Sequence, residues 1–195
     1  MFPYAYERHE VLRDLAPRLL AFRGLDVEVE AVNSTFSRFM LKDFVKSVKG
    51  TSFPMSIETP LSQMELDALL DEFRHLRGDL FTEGVAFKEY VDLKRYSKAT
   101  NEWRAFYLQG SLLNVCRNSN QVDTTPAPSP NMIAPCENLG SPLYPVDFAE
   151  SADGGWIVLE TGDGQVSGLA TAMDAVIYYQ ILSERIVNFA NQVDH

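Results

Sequence analysis

The residues most able to do chemistry in this 195-residue chain are two carboxylates, Asp147 and Glu160. They lie in PLYPVDFAESADGGWIVLE (142–160), where Asp153-Gly154 is flanked by alternating apolar residues, a strong signal for a two-residue hairpin turn. With that turn, Ala152 pairs with Gly155, and the register carried outward sets Asp147 opposite Glu160 and Phe148 opposite Leu159. Directly opposed residues hold their Cβ atoms about 5 Å apart, and like charges there destabilise the pair. A cation or a shared proton offsets that repulsion. Oxygen ligands with no neighbouring His or Cys suit Mg²⁺ or Mn²⁺. Two solvent-facing carboxylates that tolerate each other are the alternative, and a bulge in the hairpin would shift the register.

Other chemistries fall away. His9-Glu10 starts an HExxH pattern, but Arg13 stands where the second His belongs, and three histidines scattered along the chain make a poor zinc site. No GxxxxGK[ST] loop occurs. GDGQVSG (162–168) imitates a dinucleotide fingerprint, yet its last glycine is one residue late and only 27 residues follow Gly168, too few for a second strand and its acidic residue. Seventeen Lys+Arg against 27 Asp+Glu give a net charge of −10, the wrong sign for a nucleic-acid or anionic-membrane binder. No apolar signal segment opens the chain and no window of membrane-spanning length occurs, so a soluble cytoplasmic protein is expected. Cys116 and Cys136 read as small buried hydrophobes in a reducing compartment.

The positioning elements follow from periodicity. Val11, Leu12, Leu15, Leu19 and Phe22 predict a helix over 8–22 that ends near Gly24. Alternation in SRFMLKDFVKSVKG predicts a strand over about 38–47, paired with a short strand at 52–57. Ser62 and Glu65 form a capping box before Leu66, Leu69, Leu70 and Phe73, and Gly78 stops that helix after three cationic residues. LFTEGVAFKEYVDLK reads as one or two strands, and EWRAFYLQGSLLNVCR as a hairpin turning at Gln109-Gly110. Four prolines make 118–135 a loop. The carboxylate hairpin comes next, then a helix over about 171–190. The order predicts an α+β chain of two small lobes.

In that order, FMLKDFVKSVK, GVAFKEYVDL, NEWRAFYLQG and the hairpin with ETGDGQVSG resemble an ATP-grasp domain, over about residues 37–185. The resemblance is closest to the small clade named for two arginines and a lysine. It implies a nucleotide site between the two lobes, with 1–36 as an N-terminal helical segment, 37–92 as first lobe and hinge, and 93–195 as second lobe. By the resemblance, Lys42 and Lys46, which share a strand face, contact the nucleotide phosphates, and Lys88, Glu89 and Val91 belong to the adenine-binding hinge. Arg104 grips phosphate, with Lys46 beside it in the catalytic set. The second arginine is Arg117, with Arg95 as runner-up. Asp147 and Glu160 hold the metal. Many such enzymes carry an asparagine two residues after the glutamate; Gly162 stands there, and Asp163 is the substitute ligand.

The activity implied is Mg²⁺- or Mn²⁺-dependent use of ATP to convert a carboxylate into an acyl phosphate for attack by an amine or thiol. Small-molecule or peptide substrates are both compatible. Only about 36 residues precede the first lysine strand, where full-length members carry another α/β domain. A partner subunit or a second copy is therefore expected to complete the acceptor site. The alternatives are a catalytically degenerate domain serving nucleotide or protein binding, and phosphoryl transfer to a hydroxyl. Single residues have simpler readings too. Lys42 and Lys46 suit an edge strand that discourages aggregation, Arg104 suits an ion pair with an acidic neighbour, and Trp103 and Trp156 suit packing.

Overall fold

A computed structural model gives the fold and describes residues 12, 14–44, 47, 48, 50–118, 125–165, 167–170 and 175–193. The chain divides into two compact units. One is Pro17–Val91; the other runs from Asp92 onward and includes Leu12 and residues 14–16.

The Pro17–Val91 unit is a four-stranded antiparallel sheet with two helices. Strands β1 (Leu19–Arg23), β2 (Arg38–Asp43), β3 (Ile57–Glu58) and β4 (Gly84–Glu89) lie in the order β1-β4-β2-β3. Along β2 the burial alternates: Phe39, Leu41 and Asp43 are buried, while Arg38, Met40 and Lys42 are half-buried. The period of two sends Phe39 and Leu41, with Val85 and Phe87 of β4, into a core shared with helices α1 (Val29–Thr35) and α2 (Gln63–Arg77). Those helices contribute Val29, Val32, Leu66, Leu70 and Phe73. Helix α2 opens on the expected capping box. Glu65 N–H donates to the Ser62 hydroxyl, and the Ser62 backbone N–H donates to the Glu65 carboxylate at 2.8 Å. Arg77 in its last turn donates to the buried Asp43 at 2.7 Å, tying the end of α2 to the end of β2.

Several predicted elements differ here. Residues 19–23 form strand β1 rather than the end of a helix; Leu12 is helical, while 8–11 and 13 lie outside the described residues. Pro17 lacks the N–H that a continuing helix needs, and beyond it Leu20 and Phe22, two apart, both pack on the core as a strand requires. Helix α1 carries no periodic signal beyond Val29 and Val32. Tertiary contact supplies what the sequence lacks: the Gln63 side chain accepts from Val29 N–H at 2.9 Å, satisfying a donor at the helix start. Strand β2 ends at Asp43, not 47, and β3 is two residues long.

The second unit is built on an antiparallel sheet ordered β10-β9-β7-β8, from β7 (Glu102–Leu108), β8 (Ser111–Arg117), β9 (Leu143–Glu150) and β10 (Trp156–Thr161). The β7–β8 hairpin turns at Gln109-Gly110 as expected, both at positive φ (50° and 77°), which a type I′ turn demands. One face of the sheet buries Ala105, Tyr107, Tyr144, Val146, Phe148 and Val158. The proline-rich stretch covers it: a short helix α3 (Pro130–Ile133) and a 3₁₀ turn (Ala134–Cys136) stand where a loop was expected. Tyr107 and Tyr144 stack at 5.1 Å, and their hydroxyls donate to the carbonyls of Ile133 and Cys136. On the other face, Tyr178 of helix α4 (Ala175–Val193) lies 5.0 Å from Phe106. Among the described residues no helix is long and apolar enough to cross a membrane.

A small hairpin, β5 (Arg95–Tyr96) with β6 (Ala99–Thr100), precedes β7. Strands this short are not stable alone, and a buried carboxylate anchors them. Glu150 accepts from Lys94 Nζ and Asn101 Nδ2 at 2.8 Å and from the Tyr96 hydroxyl at 3.1 Å. Burial alone would raise the Glu150 carboxyl, but the Lys94, Asn101 and Tyr96 donors together hold it below the ordinary value.

Both anchors have measurable consequences for stability. Ser62→Ala removes one side of the capping box and lowers unfolding free energy by about 1 kcal/mol, read by urea denaturation. Because the folded pKa of Glu150 is depressed, its contribution is present above the unfolded value and lost as pH falls through the folded one. Wild type should therefore lose stability relative to Glu150→Gln on acidification below about pH 4, and parallel pH profiles of the two melting temperatures would refute this.

Candidate functional site

Asp147 and Glu160 do face each other across β9 and β10, but by a different route from the one the turn signal implies. The turn spans three residues, 152–154: Gly154 N–H donates to Ser151 O, Ser151 N–H donates to Gly155 O, and Gly154 takes φ 91°. From it, Trp156 pairs with Glu150, Ile157 with Ala149 and Val158 with Phe148. That register would oppose Leu159 to Asp147. A bulge between Val158 and Glu160 inserts one residue, and Glu160 then pairs with Asp147. Phe148 therefore meets Val158, not Leu159. A bulge re-aims a side chain in this way, and here it brings Glu160 round to the face that carries Asp147.

Across the sheet the register continues. Asp147 pairs with Arg104 on β7, and Arg104 with Cys116 on β8. Paired residues share a face, so Cys116, Arg104, Asp147 and Glu160 form one row, a residue from each strand. Arg104 grips Asp147 with a two-pronged fork, Nε to Oδ1 and Nη2 to Oδ2, each 2.7 Å; Nη1 donates to Gly168 O at 2.6 Å. The Asp147 bond chiefly raises the Arg104 guanidinium further, so it stays charged. Burial pushes the Cys116 thiol up to about 11, so it adds no third anion at neutral pH. Two residues along β8 on the same face, the Asn114 amide oxygen is buried with no hydrogen-bond partner among the described residues. No sequence pattern singled out Asn114 or Cys116; only the strand register, which periodicity alone does not give, places them here.

The donor set suits a hard divalent cation. Asp147 is buried and Glu160 exposed, both supply oxygen only, and an ionised carboxylate has about four lone-pair sites, of which the Arg104 fork uses two on Asp147. Asp163 does not join them. Its carboxylate accepts Gln165 N–H at 2.8 Å and closes a local turn, and among the described residues no three His, Cys, Asp or Glu side chains converge. Arg117 is not in the row either, since pairing with Trp103 puts it on the opposite face. Arg95 sits on the β5–β6 hairpin and donates to Lys98 O.

In the Pro17–Val91 unit, Lys42 pairs with Ala86 and Lys88 with Met40, so both lysines occupy the sheet face opposite the core. Lys88 is buried at 4% exposure. Glu89 pairs with Phe39 and so lies on the core-side face, held by Arg18: Nη2 to Oε1 is 2.7 Å, and the Arg18 backbone N–H donates at 3.1 Å. The Arg18 bond outweighs desolvation and keeps the Glu89 carboxyl below its usual range. Its contacts are therefore structural, joining β1 to β4. Val91 follows β4 in a half-buried, non-regular position, and Lys46 lies outside the described residues.

Comparison with known proteins agrees with this architecture. The model of an ATP-grasp domain family, the third family of the clade named for two arginines and a lysine, matches residues 28–181. Among solved structures, D-alanine–D-alanine ligase from Bacillus anthracis complexed with ATP superposes with a TM-score of 0.57 at 17% identity, over 94% of this chain and 64% of that one. Macrocyclase MdnC bound with precursor peptide MdnA, from Microcystis aeruginosa, gives 0.54 at 16%, over 92% and 57%. ATP-grasp ligase PsnB complexed with its minimal precursor gives 0.53 at 16%, over 93% and 59%. At such identities the likeness is one of fold, and this chain spans less than two thirds of each of those proteins. No curated protein sequence matches the chain.

The loop after Glu160 explains why glycine stands at 162. Gly162 N–H donates to Pro145 O and Gly164 N–H to Leu143 O, so the loop folds back along β9. A Cβ at 162 would sit 2.8 Å from Ser167 Oγ and 3.4 Å from Pro145 Cγ. Gly162→Asn should therefore lower stability by about 1–3 kcal/mol, and Gly162→Asn with Ser167→Gly should recover most of it. Thermal melts of the two variants that fail to differ would contradict that packing.

Proposed function

Because the chain belongs to the ATP-grasp family, in the clade named for two arginines and a lysine, we propose that it is an ATP-dependent ligase that activates a carboxylate for attack by an amine or thiol. The observation that carries this reading is the Arg104–Asp147–Glu160 row on one sheet face. It combines a planar phosphate-binding fork with two oxygen donors, and a nucleotide–metal complex needs both.

Asp147 and Glu160 would hold Mg²⁺ or Mn²⁺, which would supply positive charge against the phosphates. Arg104 would orient the γ-phosphoryl group through two N–H donors, and Lys42 and Lys88, with Lys46 as a further candidate, would supply positive charge for the remaining phosphates. The backbone after β4, around Val91, would hold the base. The substrate carboxylate oxygen attacks γ-phosphorus as the bond to ADP breaks, giving an acyl phosphate. The amine or thiol then attacks the acyl carbon, loses a proton, and phosphate leaves. No covalent protein nucleophile is required, so catalysis rests on positioning and fixed charge. One of the similar structures holds a precursor peptide and another a minimal precursor, so peptide carboxylates belong in the substrate screen beside small molecules. The acceptor site would be completed by further chain or by a partner. Two free thiols suit a reducing, cytoplasmic setting.

Calorimetric titration tests the reading. Wild type should bind ATP in the presence of Mg²⁺, Glu160→Ala should bind it at least 10-fold more weakly (about 1.4 kcal/mol), and ADP should form only when carboxylate and amine are both supplied. ADP formation accompanied by a phosphorylated hydroxyl product would mark a kinase. Folded wild type that binds no nucleotide would leave an interaction module.

A further inference from the structure

Resting on the ligase reading above, we infer that Asn114 recognises the acceptor substrate and selects an amine over a thiol, in a pocket that opens between β8 and α4. Asn114 lies on the sheet face that carries Arg104, and it pairs with Phe106 where Arg104 pairs with Cys116. Arg104 and Asn114 are therefore diagonal neighbours on adjacent strands, about 7–8 Å apart. One small molecule spans that gap, so an acyl group activated beside Arg104 and a nucleophile held at Asn114 would meet.

Asn114 holds nothing in the fold together. The residue is half-buried, yet its amide oxygen is closed off from solvent and accepts no hydrogen bond among the described residues. A buried oxygen without a donor costs stability, so a fold keeps one chiefly where a donor arrives from outside. The cover over this face is thin. Helix α4 lies against β8, and Tyr178, its one buried side chain among those described, sits on Phe106 with ring centroids 5.0 Å apart. Tyr179, Ile186 and Val187 stand exposed on the same helix. A helix held by so little buried surface opens locally at small cost.

The chemistry of the oxygen fixes the class of ligand. An amide oxygen only accepts, so its partner must donate. An ionised carboxylate or phosphate lacks the proton, S–H is a weak donor, and an amine N–H is a strong one. An N–H held by Asn114 leaves the nitrogen lone pair free to face the acyl carbon. As the C–N bond forms, the C–O bond to phosphate breaks, and the proton lost from nitrogen leaves with the phosphate. Asn114 takes no proton; it binds and orients.

Nuclear magnetic resonance tests the pocket without turnover. Ethylamine and, separately, ethanethiol are titrated at constant pH into ¹⁵N-labelled wild type, and the Asn114 side-chain amide pair is assigned as the one absent from Asn114→Leu. Ethylamine should shift that pair saturably, and at least about threefold further than ethanethiol at equal concentration. No shift, or equal shifts, overturns the inference. Asn114→Leu removes an unpaired buried acceptor and should melt no lower than wild type; a clear drop in Tm would make Asn114 a structural residue and overturn it too. With any carboxylate that supports turnover, Asn114→Leu should raise KM for the amine at least about 10-fold while leaving the Kd of Mg²⁺–ATP unchanged, and Asn114→Asp, which keeps an accepting oxygen, should hold KM near wild type. An unchanged KM in Asn114→Leu counts against the inference. Should wild type bind no Mg²⁺–ATP while ethylamine still shifts the Asn114 pair, the ligase reading falls and the amine pocket stands.

Discussion

Two carboxylates opposed across neighbouring strands repel, and the second sheet is arranged around compensating that repulsion. Arg104 lies on the strand next to Asp147, in register with it, and its fork meets both Asp147 oxygens. The order β10-β9-β7-β8 is what makes this possible: β9 is central, flanked by the glutamate strand on one side and the arginine strand on the other. With β7 and β9 apart, neither the ion pair nor the row would form. The opposite face supplies the rigidity, with Tyr107 and Tyr144 stacked and their hydroxyls tied to the segment 133–136. A stiff apolar face behind a strand lets the polar face keep like charges close without the strands parting.

The facing of Asp147 and Glu160 was legible in the sequence, though for a reason the structure revises. A two-residue turn with no bulge and a three-residue turn with one bulge deliver the same pair, because the extra turn residue, Ala152, comes out of the β9 arm and the bulge residue, Leu159, out of the β10 arm, and the two cancel. Between turn and bulge the two differ, which is why Phe148 meets Val158. Bulges leave little mark in hydrophobic alternation: VLE reads the same whether Leu159 is paired or extra. The capping box at Ser62 was fully legible, since both partners lie within four residues and need no tertiary help. Residues 19–23 differ from the expected helix because Leu19 and Phe22 continue the helical spacing of Leu12 and Leu15, while Leu20 and Phe22, two apart, fit a strand equally well, and only the β4 partner decides between them. Helix α1 was invisible for the complementary reason, its N-terminal donor being met from Gln63, 34 residues away.

Residue roles carried by resemblance divide along the same line. Lys42 and Lys88 share a face because strand alternation and register put them there. Glu89, one residue on, must face the other way, and Arg18 claims it. Arg117 parts from Arg104 by the same parity, since it pairs with Trp103 rather than with Arg104 itself. A motif gives residue type and order, whereas facing depends on register to a single residue. That is also why Arg104 could be read both as a phosphate ligand and as an ion-pair partner. The resting geometry realises the second, and the same donors are the ones the first would use.

The loop from Thr161 to Gly168 links these features. Gly162 and Gly164 lie where Ser167 and Leu143 leave little or no room for a Cβ, and the chain returns along β9 and delivers the Gly168 carbonyl to Arg104. Asp163, a candidate metal ligand by position, instead shapes this return by accepting Gln165 N–H, while its carbonyl accepts Ser167 N–H. The loop thereby supplies a backbone acceptor that orients the arginine.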